Sequence, residues 1–330
     1  MKISIALCTF NGEQFLEQQL ASFSKQTRSP DELVVCDDAS SDTTVSVLEN
    51  FAKTAPFPVS IFLNEQNLGS LKNFEQVIEK CSGDIIALSD QDDVWLPEKL
   101  KCIATVFESR PNSGLVFSNA ILTDVNLKPT GWKLFDMTFR RTDKKRFRAG
   151  KAIDVFLEYN VITGAAVAFR AELRRHFLPI PQLTDFIHDG WIGLVAAISS
   201  RIEFIDTPLL LYRQHAGQQL GAGLSKWDLP IRERHRKYIA NRRLALERLS
   251  ELSEILPRRA LPSFGASDLE LQIQETRLHI QKVIEHYERR AALPDSNLKR
   301  LFPILRETFS LGYHRFSRGL GSAGMDLISK

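Results

Sequence analysis

No run in the 330 residues approaches 18 uninterrupted apolar positions, so no membrane-spanning helix is expected. The apolar start, MKISIALCTF, is broken by NGEQ too soon for the core of a signal peptide. Cysteine is scarce: Cys8, Cys36, Cys81 and Cys102 have no CxxC spacing. That excludes a thiolate zinc site and a disulfide scaffold, and points to reduced core thiols in a cytoplasmic protein. Charge of one sign is lacking too. The 43 basic residues stand against 40 acidic ones, a net +3, so a general nucleic-acid binder is not indicated. There is no P-loop, no G-x-S-x-G elbow and no internal repeat. One G-x-G-x-x-G, at Gly319, Gly321 and Gly324, has neither a strand before it nor an acid about 20 residues on, and is a chance match. What remains is 43% hydrophobic and 25% charged, ordinary for a soluble enzyme with one large domain of about 250 residues and an appendage.

The first 120 residues alternate short apolar runs with helical patterns. KISIALC, DELVVCD, PVSIFLN, GDIIALS and GLVFSNAIL read as strands. GEQFLEQQLASFSKQ, SDTTVSVLENFAK (capped by Ser41 or Asp42), GSLKNFEQVIEKC and PEKLKCIATVFES read as helices, the last opened by Pro97. This alternation predicts an α/β fold, a Rossmann-like and mostly parallel sheet with helices on both faces. In such sheets ligands sit outside the carboxyl ends of the strands. Four of those ends are polar: Thr9 to Gly12, Asp37-Asp38, Asn64 with Asn67 to Gly69, and Asp90 to Asp93. Residues 129–150 are basic, aromatic and weakly periodic, and read as an exposed flap. A helix in AIDVFLEYN, a strand-like GAAVAFR, a helix at DGWIGLVAAIS and a strand RIEFID follow. Beyond a boundary near 225 the pattern is wholly helical and charged. The reading therefore gives a domain over 1–225 and a helical region over 226–330.

SDQDDVWLPEKL places three aspartates in four positions directly after a buried strand. Carboxylates so close repel one another and raise each other's pKa. Asp93 could cap the following helix, where acids are favoured, but a cap accounts for one acid rather than three. A hard divalent cation such as Mg2+ or Mn2+, which takes few carboxylates and completes its shell with phosphate oxygens, accounts for the cluster better.

SIALCTFNGEQFLEQQLASFSKQT, DELVVCDDASSDTT, NEQNLGSLKNFEQVIEKCSGDIIALSDQDDVWLPEKL, TGAAVAFR, HDGW and LYRQH, in that order over about residues 2–216, together resemble a family-2 glycosyltransferase of GT-A fold. SDQDDVW with YRQH further resembles the bacterial rhamnosyltransferase-like members that build O-antigen and capsule chains. The resemblance implies that Thr9, Asn11 and Asp38 hold the nucleoside and that Asn67, Gly69 and Asn73 line its cleft. It implies that Asp90 and Asp92 are the D-x-D pair, with Asp92 the direct metal ligand and Asp93 in support. Asp189 would be the catalytic base. Arg213 and His215 would close over the diphosphate and the metal, and Thr163, Gly164 and Trp191 would border the sugar or acceptor. The residues themselves favour core packing for Trp191, and a supporting or surface place for His188.

That resemblance implies an inverting, metal-dependent transfer from an NDP-sugar, dTDP-L-rhamnose first and UDP-hexoses next, to a saccharide or lipid-linked acceptor in surface polysaccharide synthesis. A nucleotidyltransferase also uses paired aspartates, but it needs basic residues after the first strand, and CTFNGEQFLEQQ has none. A non-catalytic carbohydrate-binding protein would be expected to lose Asp92 or Asp189. The C-terminal helices, with RERHRKYIANRR and NLKRLFPILRETFSLGYHRFSRG, suit a packing or homodimer contact, or peripheral docking on the inner face of the membrane.

Overall fold

The computed structural model describes residues 1–156, 159–181, 187–215, 266–294, 296–317 and 319–328, with isolated helical positions between 233 and 250. The expected boundary at 225 falls outside the described residues. The chain divides into two compact units, one made of Met1–Phe156, Asn160–Gln182 and His188–Gly223, the other chiefly of Leu224–Lys330.

In the first unit the chain runs β1 (Ile3–Thr9), α1 (Glu13–Ser24), β2 (Glu32–Asp37), α2 (Thr44–Ala52), β3 (Val59–Leu63), α3 (Ser70–Lys80) and β4 (Ile85–Ser89). After it come the short β5 (Val94–Trp95), α4 (Lys99–Ser109), β6 (Ser113–Thr123), β7 (Pro129–Lys133), α5 (Leu134–Thr138), α6 (Arg141–Arg148) and α7 (Ala152–Phe156). The unit continues through β8 (Val167–Arg170), α8 (Arg174–Phe177), α9 (His188–Ser199) and β9 (Arg201–Arg213).

Nine strands form one sheet in the order β3-β2-β1-β4-β8-β6-β9-β5, with β7 paired to β6. β1, β2, β3 and β4 run parallel, with Thr9 opposite Asp37 and Leu7 opposite Ser89. β6 and β9 are parallel, and the antiparallel β8 joins the two halves. The chain leaves β1 to one side for β2 and β3, then returns to its other side for β4, so the strand ends on either side of β1 open a crevice. α1 buries Phe15, Leu16, Leu20 and Phe23, the spacing its sequence predicts. Of these, Leu16, Leu20 and Phe23 join Ile3, Ile5, Leu7, Leu33, Val35, Ile85 and Trp95 in the core.

Residues 129–150 are not the flap that their composition suggests. They form β7, α5 and α6, and bury Phe135, Phe139 and Phe147. Phe117 of β6 meets these three rings at centroid distances of 5.5, 5.2 and 5.6 Å, and Phe204 of β9 packs on Phe139 at 5.1 Å. α6, RTDKKRFR, buries Asp143 and Phe147, while Lys144 lies half-buried over the Phe135 and Phe139 rings and pairs with Asp206. Its partners come from distant strands, and the local periodicity is correspondingly weak.

In the second unit the described elements are all helical: α10 (Ala266–Ala291), α11 (Asn297–Phe309), α12 (Gly312–Phe316) and α13 (Leu320–Ile328). One apolar cluster there joins Leu293, Ile304, Tyr313 and Ala323, and charged pairs are buried in the same unit. Arg290 grips Asp326 with two hydrogen bonds of 2.6 and 3.0 Å, and the Tyr313 hydroxyl donates to the same carboxylate at 2.8 Å. Among the described residues no helix is long and apolar enough to cross a membrane.

Candidate active site at the strand ends

The ends of β1, β2 and β3 are tied by short polar contacts. Thr9 donates its hydroxyl to Asp37 at 2.7 Å, and Ser40 donates its N–H and hydroxyl to the same carboxylate at 2.8 and 2.6 Å. The neighbouring Asp38 accepts from Asn64 Nδ2 at 2.8 Å and from the N–H groups of Leu68 and Gly69 at 2.8 and 2.9 Å. Gly69 also donates to Asn67 Oδ1 at 3.1 Å, and its φ of +82° suits a residue without Cβ. Asn73 donates to the Cys36 carbonyl at 2.8 Å and accepts from Asn64 at 3.1 Å. Asn11 takes φ 47° and accepts the Ser41 N–H at 2.9 Å. Thr9, Asp38 and Asn73 are buried, while Asn11 and Asn67 are exposed. Six expected residues thus assemble around one set of strand ends.

The aspartates follow β4. Asp90, half-buried, makes no side-chain hydrogen bond among the described residues. Burial, then the charges of Asp92 and Asp189, push its pKa up to about 7. Asp92 Oδ2 lies 2.8 Å from His215 Nε2. Asp93 is fully buried. It accepts the Arg213 N–H at 3.0 Å through Oδ1, and its Oδ2 has no partner among the described residues. It does not cap α4, and burial followed by the charges of Asp92 and Asp90 raises its pKa well above the usual range.

Asp189 opens α9, is 4% exposed, and accepts from Asn160 Nδ2 at 2.9 Å and from the Gly164 N–H at 3.0 Å. Asp189 and the aspartates of the β4 turn all raise the pKa of the Tyr212 phenol, after the larger effect of its burial. Residues about 96 positions apart therefore share one electrostatic site. His188 is buried, stacked on Phe74 at 4.0 Å, and desolvation lowers its pKa to about 4. A Cβ on Gly164 would lie 2.7 Å from His188 Nε2, so this glycine gives the ring its place. Thr163 directly precedes it and is half-buried.

Two further positions lie in the interior. Trp191 is fully buried and donates its indole N–H to the Phe177 carbonyl at 2.9 Å, which fits its reading as core packing. An apolar helix start inside a core leaves the ring no open face. Arg213, expected over the diphosphate, is 1% exposed. Its guanidinium donates to the Asp92 carbonyl at 2.7 Å, to Gln18 Oε1 at 2.7 Å and to the Val125 carbonyl, and lies 4.4 Å from the Phe15 ring centroid. It braces the aspartate turn from within. The cysteines are free, with burial pushing Cys36 up to about 11 and Cys81 up to about 12, so neither is a nucleophile at neutral pH.

Lys99 and Tyr212 escaped the motif reading. Lys99 is fully buried, donates to the Ala165 carbonyl at 2.6 Å and lies 3.7 Å from the Trp95 ring. Burial lowers its pKa to about 7 against the opposing pull of Asp93 and Asp90. A signal was present: Lys99 shares the buried face of α4 with Ile103 and Phe107, where a cation has no reason to sit without a buried anion.

A hard-oxygen donor set fits Mg2+ or Mn2+. Asp90 has uncommitted oxygens and feels the charge of Asp92, which in turn pairs with the His215 ring. Among the described residues no group of three or more acids, histidines or cysteines is placed to hold a metal ion by itself. A hard divalent cation bound here would take most of its ligands from phosphate oxygens and water.

A family model described as glycosyl transferase family 2 matches residues 4–174. The dTDP-rhamnosyl transferase RfbG of Shigella flexneri is 28% identical over 66% of this chain and 75% of its own length. An uncharacterized glycosyltransferase of Haemophilus influenzae is 31% identical over 66% of each chain. Mycobacterial relatives, among them Rv1520 of Mycobacterium tuberculosis, are 24% identical over 65% of this chain and 59% of theirs. The crystal structure of S. aureus TarS 1-349 in complex with UDP-GlcNAc superposes with a TM-score of 0.54 at 18% identity, covering 96% of this chain and 89% of that one. This last likeness is one of fold.

Proposed function

Since this chain belongs to glycosyl transferase family 2, we propose that it is an inverting, divalent-metal-dependent transferase that moves a sugar from an NDP-sugar to a saccharide or lipid-linked saccharide in surface-polysaccharide synthesis. The donor that fits first is dTDP-L-rhamnose, supported by the 28% identity to the Shigella dTDP-rhamnosyl transferase. The observation that carries the reading is the convergence of Asp189 with Asp90 and Asp92 on one crevice.

Thr9, Asn11, Asp38, Asn67, Gly69 and Asn73 shape the nucleoside end of the crevice. Asp90, Asp92 and His215 would hold the cation, which when bound would offset the charge of the diphosphate leaving group. Arg213 and Asp93 keep that turn in place from the protein side. Asp189 accepts the proton of the acceptor hydroxyl while that oxygen bonds to the anomeric carbon and the electron pair of the breaking C–O bond leaves on the diphosphate. The N–H of Gly164 and the amide of Asn160 fix the direction of its carboxylate. One base on the face opposite the leaving group gives a single displacement, and hence inversion.

A panel of dTDP- and UDP-sugars, assayed for transfer and slow hydrolysis with Mn2+ or with excess EDTA, tests this. Turnover with dTDP-L-rhamnose that EDTA abolishes supports the whole proposal. Turnover only with a UDP-hexose replaces the donor, and undiminished turnover in EDTA removes the cation from the scheme.

A further inference from the structure

α11, NLKRLFPILRETF, is amphipathic the wrong way round for a protein interior. Its inward face carries Ile304 together with the charged Arg300 and Glu307. Glu307 accepts from His286 Nδ1 at 2.7 Å and from Arg289 Nε and Nη2 at 3.0 and 2.9 Å. Arg300 donates to the Asp326 carbonyl at 3.1 Å. The outward face carries Leu298, Leu301, Phe302, Leu305 and Phe309, with Leu298 86%, Phe302 74% and Phe309 84% exposed. At 3.6 residues per turn these five fall within an arc of roughly 100°, a continuous stripe about 18 Å long. Single exposed leucines need no explanation, but five large apolar side chains aligned opposite a salt-bridged face do.

The charge beside the stripe identifies what covers it. Lys299 and Arg306 are both exposed and follow one flank of the stripe, and Glu307, the only acid of the helix, points inward. A cavity of about 240 Å3 opens next to Phe302, lined also by Arg289, Arg290, Arg306, Glu307 and Tyr313. Arg289 and Arg290 are engaged with carboxylates there, so Arg306 brings the cavity a cation beyond those pairs. Apolar side chains over a full stripe, cations along its rim and no outward acid match the boundary between acyl chains and anionic headgroups. A partner protein of matching apolar surface would not call for the one-signed rim.

We propose that α11 docks this chain on an anionic lipid surface, with Phe302 and Phe309 entering the acyl boundary and Lys299 and Arg306 at the headgroup phosphates. The proposal stands apart from the choice of donor sugar. The test is co-sedimentation of the full chain with phosphatidylcholine vesicles and with vesicles containing phosphatidylglycerol, at low and high salt. Pelleting that requires phosphatidylglycerol, drops more than tenfold in a Phe302→Ser, Phe309→Ser variant, and weakens about fivefold for each of Lys299→Gln and Arg306→Gln supports the assignment. All four side chains are exposed, so the variants should keep the wild-type melting point and NDP-sugar hydrolysis, and circular dichroism confirms that they are folded. Wild-type protein that stays in the supernatant, or a double serine variant that pellets undiminished, overturns the proposal. So does sedimentation velocity showing a dimer that the serine variant dissociates while vesicles bind neither form, since the stripe then covers a second copy of the chain.

Discussion

Four carboxylates, Asp90, Asp92, Asp93 and Asp189, share one electrostatic site with the buried Lys99. Among them Asp189 is distinguished by its anchors, Asn160 and the Gly164 N–H, which fix its direction. Asp189→Asn keeps that shape while removing the basic oxygen. It should leave donor Kd within a few-fold of wild type and lower kcat by about 10²–10⁴, read by single-turnover kinetics beside nucleotide titration. Near-normal turnover would reduce Asp189 to a helix cap. His188 gives a second prediction. Buried against Phe74, it titrates near 4 in the folded protein against about 6.5 in an unfolded chain. Unfolding therefore takes up a proton between these values, and the stability that this group contributes is full above about pH 6.5 and lost as pH falls toward 4. Over that window the loss amounts to up to about 3 kcal/mol. Melting curves of His188→Leu should be flatter with pH than wild type between 6.5 and 4, and parallel profiles would contradict the burial.

Elements divide by how far their signals reach. The strands β1 to β4 and helices α1 to α3 carry complete local signatures, with apolar runs of strand length alternating with 3.6-residue periodicity, and they lie close to where the pattern puts them. Residues 129–150 show the opposite case. Their aromatics look unplaced because the rings that receive them, Phe117 and Phe204, belong to β6 and β9. Phe139→Ala should therefore cost about 3–5 kcal/mol, seen as a lower urea midpoint. A change below about 1 kcal/mol would return the segment to the status of a loop. In the second unit, Asp326→Ala strands the buried Arg290 and the Tyr313 hydroxyl, and should destabilise by about 3–5 kcal/mol. The effect should be seen as earlier loss of the 222 nm signal.

For the whole molecule, a nucleotide and a cation that bind only the folded crevice must raise its stability by mass action. With UDP or dTDP and Mn2+ at 100 times their Kd, the gain is about 2.7 kcal/mol, and EDTA should return the melting transition to its starting point. Asp92→Ala should abolish the Mn2+-dependent part of that shift. Phe302→Ser, on an exposed helix face, should leave it intact. A shift that survives both EDTA and Asp92→Ala would show that the nucleotide binds without the cation.

Two kinds of information meet in this chain. The order of strands and helices, the polar strand ends and the crowding of acids after β4 are local, since each is written within a dozen residues. Side-chain period and charge proximity along the backbone act there without knowledge of the rest. The remaining features depend on separations that the backbone covers only when folded. Asp189 reaches the aspartate turn across some 96 residues, and Arg213 braces that turn through Gln18, Asp92 and Val125. Lys99 sits near neutrality because burial opposes its charge, and Trp191 faces Phe177 rather than the crevice. The stripe on α11 is visible as a period in the sequence, but which side of that helix faces outward was set by the pairing of Glu307 with His286 and Arg289. Burial and the pairing of charges are properties of neighbours in space, and residues far apart in the chain become such neighbours only in the folded protein.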